Sequence, residues 1–227
     1  MTDGNSFADS DHDRFTGWLR ERSEPDWTAA TEHRFTEELG ADTVDDDVFR
    51  RYLVADYRFV ETLTSTISYV GAQAPGVDER VRFAEFLTTV GTDETDYFER
   101  SFDALDVPEA ERGGPPQSPV AREFDDLLRR ASQEGGYAES LAVFVPAEWV
   151  YLTWATRAAE GERPARFYLD EWIDLHVVPA FREFVDWLRG QLDAVGPALS
   201  PRRQRRVARL FERTVGLEVA FFDAAYE

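Results

Sequence analysis

The spacing of the apolar residues is the feature that most constrains the fold of this 227-residue chain. Apolar residues recur at intervals of three and four, without strand-like alternation or an internal repeat, a pattern typical of amphipathic helices. Glycine and proline divide the pattern into helical segments. These lie at about residues 9–22, 25–40, 45–71, 77–105, 120–134, 137–159, 164–195 and 201–226. The sequence therefore predicts an all-α fold, a compact bundle of seven or eight helices.

Three residues inside these segments predict local bends. Gly91 weakens the fourth segment, and Pro146 and Pro179 each remove a backbone donor from a helix interior. Such positions kink a helix or end it.

The length and the apolar content indicate how the chain is organised. Hydrophobic residues make up 43% of the sequence, enough to bury a substantial core, and we expect one domain over residues 1–227. Residues 1–14 are acidic and are predicted to form a mobile N-terminus. There is neither an apolar run of about 18 residues nor a basic, apolar leader. A cytoplasmic protein that does not enter a membrane is therefore expected.

The charge composition excludes several classes of function. The formal net charge is -20, with 45 acidic residues against 25 basic ones, all of them arginine. Such a chain repels phosphate backbones and anionic membranes, so we expect no nucleic-acid partner. The composition resembles that of proteins adapted to a salt-rich, halophilic cytoplasm, where ions screen the repulsion. The chain has no cysteine, which excludes disulfides, thiolate nucleophiles and cysteine-ligated metals.

Three carboxylates interrupt apolar stretches and stand out from this acidic background. Asp56, Glu148 and Glu218 each lie in a different predicted helix among aliphatic and aromatic neighbours. A buried carboxylate suits a general acid or the binding of a ligand amino group, but it can equally be a structural acid bonded to arginine or tyrosine. If the three helices meet, their acids and aromatics would line a small pocket for a flat ring. The spacing alone does not show that they meet.

Two further features invite structural interpretations. The arginine-rich run at residues 202–206 is predicted to pair with carboxylates of the surface or of a neighbouring subunit, and not with nucleic acid. His33 is predicted to fix a helix or loop by hydrogen bonding.

Five sequence motifs together resemble one protein family. The segment at 52–57 resembles Tyr-Leu-x-Gln-Asp-Tyr with alanine in place of glutamine, and 146–151 resembles Pro-Cys-x-Trp-x-Tyr. The segments at 172–176 and 217–226 resemble Trp-Ile-x-x-Tyr and Leu-Glu-x-x-Phe-Trp-Asp-x-x-Tyr, and 27–35 resembles a stretch with Trp and His-Pro-Phe. In this order they are similar to the TenA (thiaminase II) family, over about residues 20 to 227.

The resemblance implies a fold, an activity and site residues. It implies a haem-oxygenase-like helical bundle, a homo-oligomer such as a dimer or tetramer, and hydrolysis of aminopyrimidines for thiamine salvage. By the matching motif positions, Asp56 would bind the pyrimidine amino group, Glu218 would be the acid/base residue, and Tyr151 would be a pocket tyrosine. No cofactor or metal is implied.

The departures from the family pattern affect the expected chemistry. The position of the nucleophilic cysteine is Ala147, and three tyrosines of the family pocket correspond to Phe59, Phe124 and His176. The pattern resembles a cysteine-free subclass, in which a carboxylate, here Glu148, takes over and related activities act on amino or N-formyl pyrimidines. His176 is interpreted as a polar pocket residue, although a histidine near Trp172 is also common in packed interfaces.

The sequence thus predicts hydrolysis by general acid–base chemistry. Asp56 would fix the ring and Tyr151 would orient it, while Glu148 or Glu218 activates water and the other protonates the departing amine. Which glutamate takes which role is left open. One alternative is a pyrimidine- or thiamin-binding protein without turnover. Another is a carboxylate-bridged di-iron oxygenase, which the sequence disfavours because it has no Glu-x-x-His pair, the nearest match running from Glu94 to Tyr97.

Overall fold

The computed structural model describes residues 6–91, 95–113 and 118–227. The regular secondary structure of these ranges is helical, without any strand. The predicted all-α class is confirmed. The helices are α1 (Phe15–Arg22), α2 (Asp26–Thr31), α3 (Arg34–Gly40), α4 (Asp46–Gln73), α5 (Val77–Thr89), α6 (Thr95–Ala104), α7 (Pro119–Glu134), α8 (Tyr137–Ala159), α9 (Phe167–Leu175), α10 (Pro179–Val195) and α11 (Pro201–Ala224).

More helices are described than the seven or eight expected, because three predicted segments are each divided in two. The segment at 25–40 is divided at His33, whose Nδ1 accepts a hydrogen bond of 3.0 Å from the amide of Phe35 and caps α3. This is the helix-fixing role predicted for His33. The segment at 164–195 is divided before Pro179, which begins α10 at a position where a helix needs no amide donor.

The third division falls between α5 and α6. Helix α5 ends at Thr89, and α6 begins at Thr95 after a segment that contains the predicted bend at Gly91. Glu94, considered above as part of a di-iron motif, lies outside the described residues.

Helix α8 runs through the middle of the molecule. It continues through Pro146, and nearly every side chain from Ala138 to Val150 is buried. A helix that is apolar on all sides needs neighbours around its whole circumference. Helices α4, α7, α10 and α11 pack against it. Any polar side chain on this part of α8 is therefore held away from bulk water.

Buried side chains from all eleven helices contribute to one hydrophobic cluster. At the N-terminal end, the ring of Phe7 packs edge-on against Phe15 at 5.3 Å between centroids, and its amide donates to Gln204 Oε1. The single domain over residues 1–227 and the mobility of residues 1–14 stay predictions. Within the described ranges, no helix is long and apolar enough to cross a membrane.

The arginine run at the start of α11 contacts the protein itself. Arg203 donates two hydrogen bonds to the carboxylate of Glu139 on α8, at 3.1 and 2.6 Å. Arg203 does pair with a carboxylate, but with a buried one, and not with a carboxylate of the surface or of a neighbouring subunit as predicted.

Candidate active site

Helices α4, α8 and α11 each place one carboxyl group at the same internal cavity. Asp56, Glu148 and Glu218 all line it, so the three helices do meet. The cavity has a volume of about 50 Å³, and residues of α7 and α9 also line it. Its lining residues are Asp56, Phe59, Val60, Leu63, Phe124, Ala147, Glu148, Tyr151, Trp172, His176, Glu218 and Phe221. All seven residues singled out from the sequence are among them.

The three carboxyl groups are buried without a compensating charge. Asp56 and Glu148 are each 8% exposed and Glu218 is 2% exposed, and no arginine among the described residues lines the cavity. Within the described part of the chain, neither Glu148 nor Glu218 has a hydrogen-bond or ion-pair partner. Buried acids normally have such partners because an unpaired buried charge is costly. The cavity therefore holds negative charge only at a large energetic cost.

This environment raises the pKa of all three groups. Loss of solvation is the main cause, and it raises the pKa of Asp56 to about 7 and that of Glu148 to about 8. The nearby Asp56 adds to the rise at Glu148. Desolvation, followed by repulsion from Asp56 and Glu148, raises the pKa of Glu218 well above its usual range. At neutral pH the cluster therefore shares protons among its members, which is the condition for separating an acid from a base.

A directed chain of hydrogen bonds leads to Asp56. The indole of Trp172 can only donate, and it donates to the Tyr52 hydroxyl at 3.2 Å. The Tyr52 hydroxyl lies 2.9 Å from that of Tyr151, which in turn donates to Asp56 Oδ1 at 3.5 Å. When Asp56 is ionised, Trp172, Tyr52 and Tyr151 each donate their hydrogen bond in the direction of Asp56. These hydroxyls oppose the rise in the pKa of Asp56.

Tyr52 and Trp172 had no assigned role in the sequence analysis, although both belong to the motifs quoted there. A signal was present for Tyr52, because it lies four residues before Asp56 and so shares a face of α4 with it. Nothing in the sequence links Trp172 to Tyr52, since that contact depends on the packing of α9 against α4.

Aromatic rings form the apolar wall of the cavity. The rings of Phe59 and Phe124 lie 4.8 Å apart, and Phe221 packs near both, at 6.2 and 6.4 Å between centroids. Phe221 is a lining residue that the sequence analysis quoted without a role. Ala147 also lines the cavity, where its small side chain leaves space beside the acids. A flat ring could pack against these faces.

The arrangement favours a small ligand that carries hydrogen-bond donors or positive charge, because acidic oxygens dominate the polar lining. In the described ranges, no three histidine or acidic side chains are grouped so that they could hold a metal ion. The geometry therefore gives no support to the di-iron interpretation.

The chain is similar to proteins of known family. The family model described as TENA/THI-4/PQQC matches residues 20–227. Relatives named aminopyrimidine aminohydrolase occur in Halalkalibacterium halodurans, 22% identical over 93% of this chain and 95% of that protein, and in Bacillus subtilis, 23% identical over 88% of this chain and 84% of that protein.

The fold also matches a solved structure. A TenA homologue from Pyrococcus furiosus superposes with a TM-score of 0.83, covering 93% of this chain and 100% of that one at 23% identity. The haem-oxygenase-like helical bundle implied by the motifs is thereby confirmed. From the match over residues 20–227, the chain belongs to the TENA/THI-4/PQQC family.

Proposed function

We propose that the chain is a hydrolase of C–N bonds in aminopyrimidines or N-formyl-aminopyrimidines, the breakdown products of thiamine, and that it serves thiamine salvage. The observation that carries the proposal is the cluster of Asp56, Glu148 and Glu218, three buried acids around one cavity whose described lining contains no arginine. The relatives named aminopyrimidine aminohydrolase support the same activity.

The cavity suggests how such a substrate binds. Its ring packs against Phe59 and Phe124, and its exocyclic amine donates to Asp56, which Tyr151 orients. The substituent that carries the scissile C–N bond then extends toward Glu148 and Glu218. An amino group supplies the hydrogen-bond donors that the described residues do not offer to Glu148 and Glu218.

The two glutamates divide the proton transfers. Glu218 is the more buried of the two, and burial disfavours the charged form, so we assign Glu218 as the acid and Glu148 as the base. Water gives a proton to Glu148 as its oxygen bonds to carbon, the C–N bond breaks, and Glu218 protonates the departing nitrogen. An amine substrate yields an alcohol and ammonia, whereas an N-formyl substrate yields formate and the free amine. No thiol is needed.

Several finer features belong to the same proposal. Ala147, at the position of the cysteine in the family motif, and Glu148 beside it fit the cysteine-free subclass. All 25 basic residues are arginine and the net charge is -20, and both features fit a salt-rich cytoplasm. A homo-oligomer and a cytoplasmic location stay predictions.

The test is a turnover assay on purified protein in concentrated potassium chloride. Ammonia and formate are measured separately with 4-amino-5-aminomethyl-2-methylpyrimidine and its N-formyl derivative as substrates. Release of either product, lost in Glu218→Gln, supports the proposal. Tight binding without release of either product would contradict it and would favour a pyrimidine-binding protein without turnover.

A further inference from the structure

The end of helix α9 leaves a backbone carbonyl beside His176. A continuing helix would pair the His176 amide with the Trp172 carbonyl, four residues earlier. Here the amide donates to Ile173 instead, at 3.1 Å, as the last turn tightens. The Trp172 carbonyl is accordingly paired with the His176 ring, 2.8 Å from Nδ1.

This contact fixes the tautomer of the imidazole. A carbonyl oxygen only accepts hydrogen bonds, so Nδ1 must carry the proton. Burial lowers the pKa of His176 to about 4, which leaves the ring neutral at physiological pH. Nε2 then has a lone pair and no proton.

Nε2 keeps its capacity to accept a hydrogen bond. It has no hydrogen-bond partner among the described residues. It also keeps some accessible surface, because the fully buried side-chain nitrogen and oxygen atoms that lack a partner in this part of the chain do not include it. His176 itself lines the cavity. The ring is wedged between Trp172 and Phe181, with centroids at 4.5 and 5.3 Å. These contacts oppose a ring flip that would exchange the two nitrogens.

We propose that His176 is a specificity-determining residue whose Nε2, held as an acceptor by the end of α9, binds an N–H of the substrate. The identity of that substrate rests on the proposed function. Asp56 is assigned an N–H of the ring amine, and an N–H of the scissile-bond nitrogen is assigned to Nε2. A tyrosine at this position, as in the family motif, could donate as well as accept, whereas His176 only accepts.

This acceptor differs from the acids around it. Asp56 and Glu148 exchange protons near neutral pH and can then donate as well as accept. Nε2 accepts at every pH well above 4. A substrate that presents an acceptor or an apolar group at this point leaves Nε2 unpaired, and such a site discriminates against it.

The first test is nitrogen NMR of the ligand-free protein labelled in its three histidines. The His176 signals, assigned by their loss in His176→Gln, should show a protonated Nδ1 and an unprotonated Nε2 from pH 5 to pH 8. His33→Gln, which changes a histidine outside the cavity, is the control for assignment. A proton on Nε2 anywhere in that range would overturn the proposal.

The second test compares two ligands by calorimetry in the Glu218→Gln background, where hydrolysis is blocked: 4-amino-5-aminomethyl-2-methylpyrimidine and its 5-methyl analogue, which lacks the second amine. His176→Phe should weaken the aminomethyl ligand by about tenfold, the size of one hydrogen bond, and leave the 5-methyl ligand nearly unchanged. His176→Gln, whose amide oxygen can accept, should restore most of the loss.

Equal weakening of both ligands in His176→Phe would show that the ring only packs, and would refute the specificity role. If neither ligand binds the wild type, the proposed aminopyrimidine function is refuted, and with it the substrate assigned to Nε2. The NMR result would still decide whether the end of α9 fixes the tautomer.

Discussion

Two buried glutamates on the same helix behave in opposite ways. Glu139, near the start of α8, is 3% exposed, and Glu148, farther along, is 8% exposed. Glu139 accepts two hydrogen bonds from Arg203 and one from the amide of Gly136, and these contacts outweigh desolvation and hold its pKa below the usual range. Glu148 has no such partner in the described structure, and burial raises its pKa to about 8.

The difference teaches that burial of an acid does not by itself identify a functional site. A carboxylate that the protein pairs with its own arginine is already satisfied and has no capacity left for a ligand. A carboxyl left unpaired at a cavity costs stability, and a ligand with an amino group can supply the missing partner. On this comparison Glu139 is a structural acid, and Glu148 is the acid for which we propose a function.

The largest expected effect is on turnover. Glu148→Gln and Glu218→Gln should each lower the rate of product release by about 10²–10⁴-fold, because an amide keeps the shape of the side chain but cannot exchange protons. Glu139→Gln, the matched control on the same helix, should turn over at close to the wild-type rate. Near-normal turnover in either cavity variant, with the fold verified by circular dichroism, would remove that glutamate from the mechanism.

The second effect is on the pH dependence of stability. Because the folded-state pKa of Glu148 is raised from 4.5 to about 8, the folded protein binds this proton more tightly than the unfolded chain does within that window. The stabilisation that this proton gives to the folded state is complete below about pH 4.5 and is lost as the pH rises toward 8. Glu148→Gln should therefore gain stability relative to wild type across this range, by up to about 1.4 kcal/mol for each pKa unit.

The measurement is denaturant unfolding of ligand-free protein between pH 5 and pH 8 at constant potassium chloride. Glu139→Gln should instead stay below wild type by a nearly constant amount over this range, since the lowered pKa of Glu139 stabilises the fold fully above the ordinary pKa of the group and that effect is lost only in more acidic solution. Parallel curves for the two variants would refute the contrast drawn between the two glutamates.

The third effect is stabilisation by ligand. At about 100 times its dissociation constant, 4-amino-5-hydroxymethyl-2-methylpyrimidine or its aminomethyl analogue should add about 2.7 kcal/mol to the free energy of unfolding, measured as a melting shift in concentrated potassium chloride. Asp56→Ala should lose most of this shift because the ring amine loses its acceptor, whereas Glu139→Gln should keep it. A shift of equal size in Asp56→Ala would mean that the ligand binds elsewhere.

The smallest effect is the stability cost at the paired glutamate. Glu139→Gln should lower the free energy of unfolding by about 1–3 kcal/mol near pH 7, because two charge-assisted hydrogen bonds from Arg203 are weakened. Arg203→Gln should cost a similar amount, and the double variant should cost less than the sum of the two. Additive losses would mean that the pair contributes little.

The sequence alone determined the fold class and the three acids of the cavity. Spacing at three and four residues is a local property of helices, so it survives without tertiary information, and the all-α class follows from it. An acid within an apolar stretch of a helix shares the burial of its neighbours, which is why Asp56, Glu148 and Glu218 could be identified one segment at a time. Phe59, Phe124 and His176 came instead from the family resemblance, since nothing local distinguishes them.

Only the tertiary structure decided which buried acids are paired. Glu139 looks in the sequence like an ordinary acid in the first turn of a helix, and its partner Arg203 is distant along the chain, so their contact depends on the packing of α8 against α11. The hydrogen bond from Trp172 to Tyr52 similarly depends on where α9 lies. Charge pairing, proton direction and the tautomer of His176 are set by groups that meet in space, and the local patterns of the sequence do not encode those distances.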